Sequence, residues 1–236
     1  MGKKLILVAG NGPSSQSTGV LRWTAHNRYR ISRTFRTNYF FMPPRDVLGY
    51  DCTDWFICQH SEDDLRVVTA YCRGAGIRPT VWVPGIANST TMVPEEIRRR
   101  LPEFDVRVQN QFGGLPAACR WENDLAPQRP LMGSFALAVA VGMKPEAIMF
   151  CGSDLFAEKE NGSYQGGTAI DTRGKWQDEF AELYRSNKHR NHTLRGDIKY
   201  IQGALDAFDG ELICFGAEMK RIFADRYAGK GWTFTE

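Results

Sequence analysis

Four features of this chain have the residue types and spacing to do chemistry. The first is a turn, Gly10-Asn11-Gly12-Pro13-Ser14, directly after the apolar run Leu5 to Ala9. Glycines there let a phosphate or nucleotide approach the backbone, and the N–H groups of a following helix favour an anion. The turn meets neither G-x-G-x-x-G nor the P-loop pattern with its lysine, and a plain turn accounts for it equally well. The second feature is a pair of side-chain amides, Asn38 at the end of an expected second strand and Gln59 just past a third. Carboxyl ends of parallel strands face the crevice where such sheets bind ligands, although ordinary turn chemistry also places amides there. The third is Arg129, just ahead of an apolar stretch, an isolated guanidinium that can clamp a phosphate or carboxylate or pair structurally with an acid. The fourth is His192, which follows a long polar stretch and stands five residues before Asp197. A histidine so placed can serve as a general base near neutral pH.

Other chemistries find little support. No H-x-x-x-H, H-E-x-x-H or D-x-D spacing occurs, so magnesium or manganese held by a short motif is not expected. The six cysteines include no C-x-x-C, and they read as reduced thiols of a cytosolic protein. Arg28, Arg30, Arg33 and Arg36 form a basic cluster. With 30 basic and 27 acidic residues the net charge is only +3, so solvated surface charge is expected rather than a nucleic-acid interface.

The elements that must position these residues alternate. The chain has 236 residues, 42% apolar and 24% charged, which suits one large soluble domain. No apolar run reaches the roughly 18 residues of a membrane span. Met1-Gly2-Lys3-Lys4 leads into so short an apolar run that a first buried strand, not a secretory leader, is expected. Strands are expected at 5–10, 30–38, 55–58, 80–83, 106–108, 147–151 and, last, 211–215. A helix should start at Ser61, with Asp64 completing a capping box and Leu65, Val68 and Cys72 forming its apolar face. Further helices are expected at 94–100, across Phe135 to Val141, at 197–208 and at 217–227. This β-α alternation predicts an α/β fold, a mostly parallel sheet with helices on both faces. Residues 155–192 break the rhythm: they are glycine-rich, charged and without a clear apolar period. Such an insertion is either a functional lid or a surface loop, and Tyr164, Trp176, Phe180 and Tyr184 count against disorder.

Ala9 to Ser14, Phe35 to Asn38, Arg129 to Gly133, Cys151 to Asp154 and His192 to Lys199 have motifs whose order and spacing resemble glycosyltransferase family 42, the bacterial sialyltransferases that use CMP-sialic acid. The first resembles the family's nucleotide loop, and the second its strand motif ending in a ligand-binding asparagine. Arg129-Pro130-Leu131-Met132-Gly133 resembles its Arg-x-x-Ser-Gly helix start, and Cys151-Gly152-Ser153-Asp154 its Ser-Gly-x-Asp segment. His192-Thr193-Leu194-Arg195-Gly196-Asp197-Ile198-Lys199 resembles its His-x-x-x-x-Asp-Ile-Lys motif, whose histidine is the catalytic base. The stretch from 62 to 120 adds almost nothing.

The resemblance implies one Rossmann-like, nucleotide-binding domain over 1–236, a GT-A variant, with a lid at 155–192. It implies inverting, metal-independent transfer, with no cofactor, from a CMP-sugar donor to a glycan acceptor hydroxyl. His192, Tyr164 and Arg129 would be catalytic. Gly10, Asn11, Gly12, Ser14, Asn38, Gln59, Gly133, Gly152, Ser153, Asp154, Phe156 and His189 would line the substrate and nucleotide. It also implies a homo-oligomer, often a tetramer, and a cytoplasmic location. A lipid-linked acceptor, as in lipooligosaccharide or capsule synthesis, would bring it to the inner face of the membrane. The chain departs from the family pattern at Phe156, in place of a phosphate-binding tyrosine, at Met132 for a serine, Gln59 for an asparagine and His189 for a tyrosine. The G-N-G-P-S loop also resembles pterin pyrophosphokinase-like proteins and flagellin-modifying glycosyltransferases. A nucleotide-binding protein without catalysis is a third reading.

Overall fold

The computed structural model describes residues 2–16, 28–38, 52–57, 62–84, 93–120, 129–157, 174–189 and 192–236. Eight strands among them form one sheet, ordered β5-β4-β3-β2-β1-β6-β7-β8, and every neighbouring pair is parallel. In chain order they are β1 (Lys3–Ala9), β2 (Tyr29–Thr37), β3 (Asp54–Phe56), β4 (Thr80–Val83), β5 (Val106–Val108), β6 (Ala147–Cys151), β7 (Glu211–Phe215) and β8 (Thr233–Thr235). The helices are α1 (Glu62–Gly74), α2 (Pro94–Arg100), α3 (Met132–Gly142), α4 (Gly174–Arg185), α5 (Leu194–Asp206) and α6 (Ala217–Phe223).

Both faces of the sheet are buried, which is why its strands read as unbroken apolar runs. On one face Ile6, Val8, Phe35, Phe56, Trp82, Ile148, Phe150, Leu212 and Cys214 pack with α3, α5 and α6. On the other, Trp55, Ile57, Val81, Val83, Val106 and Val108 pack with Leu65, Val68 and Cys72 of α1 and Ile97 of α2. Helix α3 is enclosed: every residue from Ser134 to Val141 is buried. It lies between α5 and strands β1, β2 and β6. A helix apolar all round has no polar face to mark its period, so Phe135 to Val141 carries no amphipathic pattern.

The strand order sets the place of the site. From β1 the sheet grows one way through β2 to β5 and the other way through β6 to β8. The loops after β1 and β6 therefore part at a topological switch point, where open α/β sheets bind ligands at their carboxyl edge.

Four expectations need correcting. Residues 155–192 are not aperiodic throughout, because α4 occupies 174–185. Trp176, Phe180 and Tyr184 stand four residues apart, a helical repeat masked by the surrounding glycines and charges. The strand at 211–215 is not the last, since β8 pairs with β7 beyond it. The final helix stops at Phe223, and a 3₁₀ turn at Ala228–Lys230 follows. Nor is the arginine cluster uniformly solvated: Arg36 is 2% exposed, and Arg33 makes a two-pronged ion pair with the buried Asp54. Gln59, Ser61 and Tyr164 lie outside the described residues, as does 158–173 of the expected lid. None of the five described cysteines is in a disulfide, and all five are buried.

Candidate active site

The loop after β1 and the loop after β6 are joined backbone to backbone. Gly10 N donates to Cys151 O at 2.9 Å and Gly12 N to Gly152 O at 3.0 Å. A Cβ at Gly10 would stand 2.2 Å from Gly152 O, and Gly152 itself has φ +69°. Only glycine allows two main chains this close, with one of them in the left-handed region. The side chains complete the knot. Ser14 Oγ accepts from Gly152 N at 2.7 Å, and Asp154 Oδ2 accepts from Ser14 N at 3.0 Å. The third loop, after β7, enters at Gly216, whose Cβ would be 2.8 Å from Asp154 Oδ1. The structure brings Gly10, Gly12, Ser14, Gly152 and Asp154 together, with the polar groups of Ser14 and Asp154 bonded across the two loops.

Beside this knot stand two buried acceptors. Asn11 donates from Nδ2 to Thr37 O at 3.1 Å, which fixes its amide and aims its Oδ1 elsewhere. Asn38 has φ 47°, and its main chain is held by Phe56 O and by the Trp55 indole. The Oδ1 atoms of both asparagines are buried without a hydrogen-bond partner. Buried polar atoms are nearly always paired, so these suit a ligand that brings N–H or O–H donors to the carboxyl ends of β1 and β2.

The N-terminus of α3 closes the other side. A Cβ at Gly133 would lie 3.0 Å from Ser153 Oγ, so the first turn of α3 rests on the loop after β6. Arg129 precedes this turn, and its carbonyl oxygen lies 2.7 Å from His192 Nδ1. A carbonyl can only accept, so the ring proton sits on Nδ1 and Nε2 is the basic nitrogen. His192 is therefore tied to the N-terminus of α3 through the main chain of Arg129.

Around His192 is a cluster of rings. His189 stacks on it at 5.6 Å and accepts from His192 N through Nδ1 at 3.0 Å. Phe180 of α4 meets both imidazoles edge-on, and Phe156 meets Phe180 and Tyr184 at 5.4 Å. Burial in this apolar setting lowers the His192 pKa to about 4, with His189 and the Arg129 guanidinium adding to the fall and the Arg129 carbonyl opposing it. The ring is then neutral at pH 7. Phe156 reaches the cluster from a tight turn. Leu155 and Phe156 have φ 51° and 54°, and Ala157 N closes the turn on Asp154 O at 2.9 Å. Two successive left-handed non-glycine residues are strained. Arg185 of α4 holds this turn by donating to Leu155 O at 3.1 Å.

Several parts of this arrangement are not evident from residue type alone. Asp197 accepts from Leu131 N at 2.9 Å and Ser134 Oγ at 2.5 Å. Tyr184 is fully buried facing it. An acid in the first turn of a helix looks like an ordinary partner for that helix's own dipole, which conceals a bond to another element. Gly216 had a visible signal, a glycine directly after the last long apolar strand. Among the described residues no group of three or more histidine, cysteine or acidic side chains converges as a metal site. No described helix is long and apolar enough to cross a membrane.

No protein-family model and no curated protein matches the chain. Solved structures do. The chain is 18% identical to the sialyltransferase CstII from Campylobacter jejuni in complex with the substrate analogue CMP-3FNeuAc, with 95% of this chain and 85% of that one covered and a TM-score of 0.61. A single-residue variant of CstII in complex with CMP matches at 20% identity, 89% and 80% coverage and a TM-score of 0.60. Monomeric CstII matches at 19% identity, 90% and 80% coverage and a TM-score of 0.57. The likeness is one of fold, and it spans nearly the whole chain.

Proposed function

We propose that this chain is a sialyltransferase-like glycosyltransferase, moving a sialic acid or related sugar from a CMP-sugar to a glycan hydroxyl with inversion and without a metal. The observation that supports this most is the neutral His192, its Nδ1 held by the Arg129 carbonyl, beside a nucleotide-type switch point. The fold shared with CMP-bound sialyltransferase structures supports the choice of donor.

In this reading His192 Nε2 takes the proton of the acceptor hydroxyl as its oxygen attacks the anomeric carbon. The bond to the phosphate oxygen breaks in line, through a transition state resembling an oxocarbenium ion. Charge grows on the departing CMP, and without a metal it needs positioned donors. Tyr164 is the candidate donor, with Asn11 nearby on the phosphate and acceptor side; the N–H groups of Gly10, Gly12 and Ser14 are already bonded within the knot. Asn11 Oδ1 and Asn38 Oδ1 accept from ligand hydroxyl or amino groups. The segment 155–192 closes over the donor and keeps water from it. A lipid-linked acceptor would draw the protein to a membrane surface, and a homotetramer is the assembly this reading carries with it.

The test is a thermal-shift panel of CMP, CDP, UMP, UDP, GDP and AMP, followed by CMP release from CMP-sialic acid. At about 100 times its dissociation constant the right nucleotide stabilises by roughly 2.7 kcal/mol. Stabilisation by CMP, with CMP release that depends on an acceptor, is expected. AMP release from ATP in the presence of a pterin would replace this reading with a pyrophosphokinase. Tight CMP binding with no turnover would replace it with a binding protein.

A further inference from the structure

A carboxylate that no step of the proposed reaction uses lies at the base of the site. Asp197 is 1% exposed. Its own helix does not need it as a cap, because Thr193 Oγ1 already accepts from Gly196 N at 3.1 Å. The Asp197 carboxylate instead serves α3. The N-cap residue of that helix is Leu131, which has no side chain to cap with. Asp197 Oδ1 supplies the missing acceptor from another element, taking Leu131 N at 2.9 Å and Ser134 Oγ at 2.5 Å. It does so at the positive end of an eleven-residue helix, where a negative charge is favoured.

These bonds close a ring. From Leu131 the chain runs back through Pro130, whose φ is fixed by its own ring, to the Arg129 carbonyl. That carbonyl binds His192 Nδ1 at 2.7 Å. His192 leads through Thr193 into the first turn of α5, which returns to Asp197. With Leu131 pinned and Pro130 stiff, the direction of the Arg129 carbonyl is set, and with it the direction of the imidazole.

We propose that Asp197 is the positioning residue for His192, acting through Leu131, Ser134 and the Arg129 carbonyl. The role rests on the reading of His192 as base, but its structural consequence can be measured without any turnover. Two further groups bear on it. From α4, the Tyr184 hydroxyl faces the carboxylate, and is itself faced by Arg185 and Glu218. From α5, Tyr200 lies one turn on. Burial raises the Asp197 pKa to about 6, against the pull of Ser134, the Leu131 N–H and Tyr184. The carboxylate is therefore mostly ionised at pH 7.

The experiment follows the His192 Cε1 proton by NMR through a pH titration, its signal assigned by loss in His192→Gln. It compares the wild type with Asp197→Ala, Asp197→Asn and Ser134→Ala. In Asp197→Ala the ring should leave its buried position, and its pKa should climb from about 4 towards the ordinary 6.5. Asparagine keeps an acceptor oxygen and should restore most of the wild-type value. Ser134→Ala removes one of the two bonds and should raise the pKa by roughly half a pH unit or more. If Asp197→Ala fails to fold, Ser134→Ala decides. An unchanged His192 titration in every folded variant overturns the proposal. Turnover is the second readout: Asp197→Ala should lose on the order of tenfold or more in kcat, with CMP affinity changed less than about threefold. A wild type that turns over no CMP-sugar would end the reading of function, while the NMR titration would still decide the role of Asp197.

Discussion

His192 Nδ1 and the carbonyl oxygen of Arg129 meet at 2.7 Å, so the tautomer of the expected base is set by main chain rather than by a carboxylate. Nothing in this contact needs the arginine side chain. His192→Ala is expected to keep the fold and nucleotide binding and to cut transfer at least about 100-fold, since a positioned general base contributes about 10² to 10⁴. Steady-state transfer and CMP binding on the same preparation check this. Near wild-type transfer at pH 7 would remove His192 from the mechanism.

The crossing of Gly10 and Gly152 offers a test of the nucleotide end of the site. A Cβ at Gly10 would stand 2.2 Å from Gly152 O, and one at Gly152 2.3 Å from Gly10 O. Main chain cannot yield as a side-chain tip can, so Gly10→Ala and Gly152→Ala should each destabilise by about 3 kcal/mol or more and lose CMP binding. Gly113 has nothing within 4 Å of its Cβ position, and Gly113→Ala should change stability by less than about 1 kcal/mol. Urea denaturation of the three variants measures both. Similar stabilities for all three would contradict the close crossing.

The parts of this molecule legible as sequence are those where one residue type has few alternatives. Leu5 to Ala9 followed by Gly10-Asn11-Gly12 could hardly be anything but a buried strand entering a tight turn. The alternation of strands and helices follows from similar runs. What remained hidden depended on distant partners. Helix α4 is hard to see because glycines and charges dominate its neighbourhood, although Phe180, Ala181 and Tyr184 meet the core. Strand β8, Thr233–Thr235, is short and only partly buried, so it lacks an apolar run. Arg36 looks like surface charge beside Arg30 and Arg33, yet it stands in the second half of β2, where every residue from Thr34 to Thr37 is buried. Asp197 shows the limit most clearly: its spacing from His192 is visible, but its bond to Leu131, 66 positions away, is a property of the packed helices.

Metal independence is open to a direct check. Positioned N–H and O–H donors are proposed to meet the charge on the leaving phosphate. Transfer measured after dialysis against EDTA should match the untreated enzyme. Activity lost on chelation and restored by manganese would require a different account of how that charge is met.

His192 and Asp197 also make opposite demands on stability in acid. Burial lowers the His192 pKa from 6.5 to about 4. The unfolded chain therefore binds the extra proton between those values, and the His192 contribution is present above pH 6.5 and lost as pH falls towards 4. Burial raises the Asp197 pKa from 3.8 to about 6. Here the folded protein binds the extra proton, so the contribution is present below pH 4 and lost as pH rises through 6. In the wild type the two slopes oppose each other over the same range. Removing either group should expose the other. Between pH 4 and 6 the unfolding free energy of His192→Gln should fall by about 2 kcal/mol relative to wild type, and that of Asp197→Asn should rise by about 2 kcal/mol relative to wild type. The carboxylates held low by arginines, such as Glu96 and Glu218, are common to all three proteins and drop out of these differences. Urea titrations at pH 4, 5, 6 and 7 would measure them. Differences of the same sign in the two variants would mean that at least one of these groups is not buried in the state described here.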